Sequence, residues 1–396
     1  MENENNTSSV IADILKKYRP SFSGGSNNNS DSDSMKKLLI IIIVLTIITV
    51  ILLTVFSGTS TKKSSTYADV EDTMIDGAKK FFSDNKKYLP KSNGGTVEIS
   101  AQKLINEKYL ASNYASSSCS GKVVVQNNDD NFVYIPYLDC GSKYKTTEFY
   151  RKITDSNNIV KSGNGLYNEN GTYVFKGDNV NNYIQIDNIL WRVVKVTENN
   201  ETVLIRDRRA DNSISFTTYP WDDRLNLDKG YNVGINNFSI SRIKDTVNTI
   251  LDDKEEPLIN EDLKGHIVLH SFCTGKRNSA DASKNMQTEC TQVTEPMKVG
   301  LLTVSEFMNA SLDGHCNTTM AESCENYNYL NVTDYDWWTI TANSDNSYEV
   351  YYVAANGSVQ VDDASTFNDV RPVIYLDSNT MFKSGKGTEE KPYKIR

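Results

Sequence analysis

The sequence predicts an α+β protein in three parts: a single transmembrane helix, a small helix-plus-β-hairpin stalk domain, and a larger α+β domain. Three observations predict it. Leu38–Phe56 ("LLIIIIVLTIITVILLTVF") is a run of nineteen residues without a charge. Apolar positions then recur at three and four along residues 67–90, the helical period. From Gly163 onward, short β-rich runs stand before and after two helical stretches, the segregated pattern of an α+β domain. The chain has 396 residues, 38% of them hydrophobic, which is material for more than one core. Its formal net charge of -9 argues against nucleic acid as a partner, because phosphate binding needs a basic face.

Residues 1–37 read as a disordered cytoplasmic tail, with the low-complexity stretch "SGGSNNNSDSDS" over Ser23–Ser34. Residues 38–56 span about 28 Å as a helix, the thickness of a bilayer's hydrocarbon core, so lipid is the partner they predict. The run is too long and starts too late for a cleaved signal peptide. Arg19, Lys36 and Lys37 precede it, and all six cysteines follow it. An even cysteine count confined to one side predicts disulfides in an oxidising space. The expected localisation is therefore the cell membrane, single-pass, with the N-terminus cytoplasmic and the C-terminal domains extracellular.

Residues 57–66 are a polar linker, and residues 67–150 form the stalk. Tyr67, Val70, Met74, Ala78, Phe81 and Phe82 share one helical stripe that Pro90 stops. "TVEIS" (Thr96–Ser100) reads as a strand, and Ser100 can cap the helix that follows. Cys119–Cys140 encloses a hairpin, with strands at Val123–Val125 and Phe132–Tyr137 and a turn at Asn127–Asn131. Pairing about that turn sets Gln126 opposite Val133, and the same register sets Cys119 opposite Cys140. The layout of residues 38–145, a long helix leading into a disulfide-closed sheet, resembles that of bacterial type IV pilins and pseudopilins. The Gly-ended leader and early Glu of that plan are absent here.

Residues 163–396 make up the larger domain. Gly171–Asp207 alternates in β-rich runs, with turns at Asp187-Asn188 and Glu198–Glu201. Ile240, Ile243, Val247 and Ile250 or Leu251 predict one helix over Ser239–Leu251. Leu302–Leu312 predicts another, capped at Thr303 or Ser305. The strands that close the chain are "WWTIT", a hairpin turning at Asn356-Gly357, and "VRPVIYL". Six cysteines allow fifteen pairings. Nearest-neighbour pairing is simplest and gives Cys273–Cys290 and Cys316–Cys324, each closing a polar loop.

The order of "NYIQIDNILWRVVKV", "VGLLTVSEFMNASL", "WWTIT", "DVRPVIYL" and "GKGTEEKPYKI" resembles the C-type-lectin-like fold of bacterial surface proteins, distantly related to formylglycine-generating enzymes. That resemblance implies a C-type-lectin-like α+β domain over 163–396 that binds a surface glycan, a peptide or protein, or a cell-wall component. The relatives with oxidase activity carry cysteines near the chain end, whereas "VRPVIYL" has none. No catalytic residue is assigned and the protein is not expected to be an enzyme. The alternatives are a structural pilus-like or envelope assembly subunit and a degenerate or unrecognised extracellular enzyme.

The candidate ligand-binding residues are Trp337 and Trp338 in "YDWWTI". On a strand they point to opposite faces, one into the core and the other outward, where it is either open to stack on a sugar or covered by a loop. His266 and His270 in "GHIVLHSFC" would share a strand face beside Cys273, but zinc sites show tighter spacing, and structural histidines are the better reading. No cofactor is assigned. Calcium is the second reading of the acidic loops "WDDR", "LDDKEEP" and "VDDAS", which otherwise read as solvated surface.

Overall fold

The computed structural model describes residues 66–128, 131–207, 218–251, 259, 261–282, 284, 286–317 and 321–396. The expected tail, apolar helix and linker therefore lie outside the described residues, save Thr66 at the linker's end. Residues 65–396 cluster as one compact unit.

The unit opens with helix α1 (Tyr67–Asp84), an element of 18 residues. Thr66 caps it in a capping box, accepting from the Asp69 amide at 3.2 Å while the Asp69 carboxylate accepts from the Thr66 amide at 2.7 Å. Val70, Met74, Ala78, Phe81 and Phe82 of the expected stripe are buried. Strand β1 (Thr96–Ser100) runs into α2 (Ala101–Asn106), capped by the Ser100 hydroxyl as expected. Strands β2 (Ser120–Asn128) and β3 (Asn131–Asp139) form the hairpin, and Gln126 pairs with Val133. Pairing extends to Asn128 opposite Asn131, so the turn is tighter than the predicted Asn127–Asn131.

After α3 (Phe149–Ile153) come β4 (Gly165–Glu169), β5 (Thr172–Lys176), β6 (Tyr183–Ile186), β7 (Ile189–Val196), β8 (Thr202–Arg206) and β9 (Tyr219–Pro220). Helices α4 (Arg242–Leu251) and α5 (Glu261–Lys264) lead to β10 (Val299–Gly300) and α6 (Val304–Ala310). The chain closes with β11 (Trp337–Ala342), β12 (Glu349–Val353), β13 (Val359–Asp363), β14 (Phe367–Asn368), β15 (Val373–Leu376), β16 (Phe382–Ser384) and β17 (Lys394–Ile395). The main sheet is antiparallel in the order β10-β15-β8-β7-β5-β4, with β6 also on β7. A three-stranded sheet, β11-β12-β13, packs into the same hydrophobic cluster, and its hairpin turns at Gly357 (φ +77°) as predicted.

The expected fold class needs a correction. Among the described residues strands dominate and the helices after α1 are short, so α+β holds only in a β-rich form. No helix among the described residues is long and apolar enough to cross a membrane. The one long helix among the described residues, α1, is amphipathic: it carries Asp72, Asp76, Lys79 and Lys80 and buries only one side. The helical stretch predicted over Ser239–Leu251 also divides. A short 3₁₀ turn at Phe238–Ile240 precedes α4, leaving Ile240 exposed while Ile243 and Val247 are buried.

Candidate functional site

All three disulfides predicted from spacing are present: Cys119–Cys140, Cys273–Cys290 and Cys316–Cys324. They are consistent with an extracellular protein that matures in an oxidising compartment.

The tryptophan expectation is corrected in its functional half. Trp337 and Trp338 do alternate across β11, but both are fully buried. Trp337 lies against Phe307 of α6 at 5.8 Å between ring centroids, with the Arg371 guanidinium 4.8 Å from its own ring centre. Trp338 packs edge-on to Tyr352 and donates its Nε1–H to the Tyr219 carbonyl at 2.8 Å. Every residue of β11 is buried, so both faces of the strand are covered and neither indole offers a surface to a ligand.

The histidines separate as well. "GHIVLHSFC" forms isolated bridges, not a continuous strand. His266 is buried with its Nδ1 3.0 Å from Asp377 Oδ1, whereas His270 stacks on Tyr375. His315 is on the surface beside Asp313. Among the described residues no group of three or more His, Cys, Asp or Glu side chains could hold a metal ion. Of the acidic loops, "LDDKEEP" lies outside the described residues apart from Leu251. In "WDDR", Asp222 is fully buried and accepts from Arg224 Nε at 2.8 Å and from the Ile235 amide at 2.7 Å, while Asp223 pairs with Arg242 at the surface. In "VDDAS", Asp362 Oδ1 accepts the Asp363 amide. The carbonyl oxygens of Asn343, Asn346 and Glu349 do converge, 2.8–2.9 Å from one atom, but that atom is the Asn236 side-chain nitrogen.

The arrangement with chemistry in it is a cavity of about 210 Å³ that none of these expectations named. Four pieces of chain build it. Strand β7 supplies Lys195, just past a bulge that shifts the β7–β8 register between Val193 and Lys195, a distortion that re-aims side chains. Strand β15 supplies Tyr375, and the segment before the 273–290 loop supplies His270 and Phe272. Helix α6 supplies Glu306, three residues into a capping box that Thr303 opens. The Cys273–Cys290 disulfide, Met286 and Leu301 also line it.

The Lys195 ammonium donates to Glu306 Oε1 at 2.7 Å and lies 3.8 Å from the Met286 thioether. Glu306 Oε2 accepts from both the amide and the hydroxyl of Thr303 at 2.9 Å. Burial opposes both charges, but each outweighs that cost for the other. The Lys195 ammonium is therefore held above the ordinary lysine value and the Glu306 carboxyl below the usual carboxylate value. His270 stacks on Tyr375 with centroids 3.7 Å apart, and Phe272 meets both rings edge-on. Burial and then the Lys195 charge push the His270 imidazole below its ordinary value, so it is neutral at pH 7. Burial pushes the Tyr375 hydroxyl up to about 12.

The polar groups here are not used up. A lysine ammonium has three donors, and one strong acceptor and a weak sulfur contact leave capacity over. Among the described residues, neither the His270 ring nor the Tyr375 hydroxyl has a hydrogen-bond partner. At ~30 Å³ per water the cavity has room for about seven waters, so it suits a ligand of sugar or amino-acid size and not an oligomer. No family model matches this chain, and no curated protein or solved structure matches it either.

Proposed function

We propose that this chain is a non-enzymatic extracellular binding protein and that the Lys195–Glu306 cavity holds its ligand. The observation that carries the reading is the surplus of hydrogen-bonding groups at one point: Lys195, His270 and Tyr375 face a cavity walled by aromatic rings and sulfur. Polar groups away from bulk water are normally satisfied, and a few of them converging in an apolar pocket are the usual form of a small-ligand site. The ion pair is internally neutral, which favours an uncharged ligand rich in hydroxyl or amide groups over a net anion or cation. A monosaccharide unit fits that description. Its hydroxyls can accept from Lys195 and exchange hydrogen bonds with His270 and Tyr375, while a C–H face lies on the walls.

The test is thermal and calorimetric titration of residues 65–396 with a panel of free monosaccharides and amino acids. A ligand present at about 100 times its dissociation constant adds about 2.7 kcal/mol of stability. Tyr375→Phe removes one hydroxyl and His270→Ala removes one ring, and each is expected to weaken binding at least about tenfold. Binding that ignores both substitutions would put the site elsewhere, and a panel without a single binder would end the reading.

A further inference from the structure

The three disulfides differ in what surrounds them. Cys316 and Cys324 are fully buried, and Cys140 is buried within the hairpin core beside a half-buried Cys119. Cys290 is exposed, Cys273 is half-buried, and both border the cavity. Nor is this third disulfide alone in closing its loop. The Thr274 amide donates to the Gln292 carbonyl at 2.8 Å, and the Gly275 amide donates to the Glu289 carbonyl at 2.6 Å. Inside the loop, the fully buried Arg277 guanidinium donates to Glu289 Oε1 at 3.0 Å and to the Ser305 hydroxyl at 2.9 Å. Those bonds join Thr274, Gly275 and Arg277 to Gln292, Glu289 and Ser305 independently of the sulfurs. A disulfide with one exposed cysteine, in a loop that has other cross-links, thus shares a cavity with a lysine ammonium that has donors to spare.

We propose that Cys273–Cys290 is a thiol–disulfide exchange site for a small thiol, which becomes attached to Cys290. The incoming thiolate attacks Cys290 Sγ, because that residue is the exposed one. A new sulfur–sulfur bond forms between the small molecule and Cys290 as the Cys273–Cys290 bond breaks, and the bonding pair departs on Cys273 as a thiolate. The proton of the incoming thiol passes to solvent or to the neutral His270 imidazole. A spare N–H of Lys195, in the same cavity, can donate a hydrogen bond to the departing thiolate, and a more stable leaving thiolate leaves faster. A second thiol molecule attacks the mixed disulfide, releases the small-molecule disulfide and leaves both cysteines reduced. Two electrons thus pass from two thiols to the protein. The proposal is independent of any sugar or amino acid the cavity holds.

The experiment treats the full-length folded chain with reduced glutathione, quenches by alkylation at intervals, and maps all six cysteines by peptide mass. Cys273–Cys290 is expected to open at least about tenfold faster than the other two pairs, with the glutathione adduct on Cys290 and the circular dichroism unchanged. Lys195→Met is expected to slow the opening at a given pH, and Lys195→Arg, which keeps a cationic donor, to restore it. That second readout distinguishes an electrostatic role from mere loosening of the fold. Opening of all three disulfides together, opening of Cys119–Cys140 first, or a folded wild-type chain that acquires no adduct on Cys290 would each overturn the proposal.

Discussion

At one end of the described chain Arg396 meets Glu71 of α1, and in its middle Lys195 of β7 meets Glu306 of α6. Both are buried ion pairs that join distant segments, yet their surroundings differ. The Arg396 guanidinium is shared out among Glu71 at 3.1 Å, Asp72 at 2.9 Å and the Ala68 carbonyl at 3.0 Å. Glu71 in turn accepts from the Tyr144 hydroxyl at 3.0 Å and from the Thr146 hydroxyl. Arg396 Nη1 makes the hydrogen bonds while, among the described residues, Nε and Nη2 are buried without one, and these contacts tie α1 to Arg396. Lys195 has one carboxylate and a thioether, so hydrogen-bonding capacity is left facing a cavity. The same chemistry joins distant segments and borders a cavity in both places, with two carboxylates and a carbonyl around the Arg396 guanidinium and one carboxylate and a thioether around the Lys195 ammonium.

The largest test of that contrast is at the fastening end. Arg396→Ala leaves Glu71 buried with its countercharge gone and is expected to cost about 4 kcal/mol in urea unfolding. A loss below about 1 kcal/mol would show that the contact is incidental. At the cavity, Glu306→Gln keeps an acceptor for Lys195 and removes only the charge, so about 2 kcal/mol is expected. If it costs more than Arg396→Ala, the two regions have exchanged roles.

The smallest effect is also the most discriminating, because the two carboxyls respond to acid with opposite sign. Burial, outweighing the Thr146 hydrogen bond and the Arg396 charge, holds the Glu71 carboxyl above its ordinary value of 4.5. The folded chain therefore takes up that proton before the unfolded chain does. Stability from this group rises as pH falls from its folded value toward 4.5. Glu306 sits below 4.5, so the unfolded chain is protonated first and stability is lost as pH falls through that lower window. Urea midpoints from about pH 7 to about pH 3 should therefore show a gain that Glu71→Gln removes and a later loss that Glu306→Gln removes. Two variants with the same pH profile would break the comparison.

Much of the local architecture is legible in the order of the amino acids. The caps at Ser100 and Thr303, the turn at Gly357 and the hairpin register at Gln126 opposite Val133 each depend on residues a few positions apart. Backbone geometry over so short a span permits few alternatives. The three disulfide pairings follow for the same reason, since each closes a short loop. The candidate site is not legible in that way. Lys195 and Glu306 are 111 residues apart, and nothing in "RVVKV" or "TVSEF" marks either residue as a partner. A lysine within an apolar strand, one position past what proves to be a bulge, is the only signal. The tryptophans mislead in the other direction. Strand alternation tells correctly that Trp337 and Trp338 face opposite ways, but alternation carries no information about what covers each face. By itself the sequence determined which residues cap, turn and cross-link, because those are contacts between near neighbours along the chain. Only the tertiary structure decided which side chains are open to a ligand, because burial and unfilled hydrogen-bonding capacity depend on segments that meet only once the chain has packed.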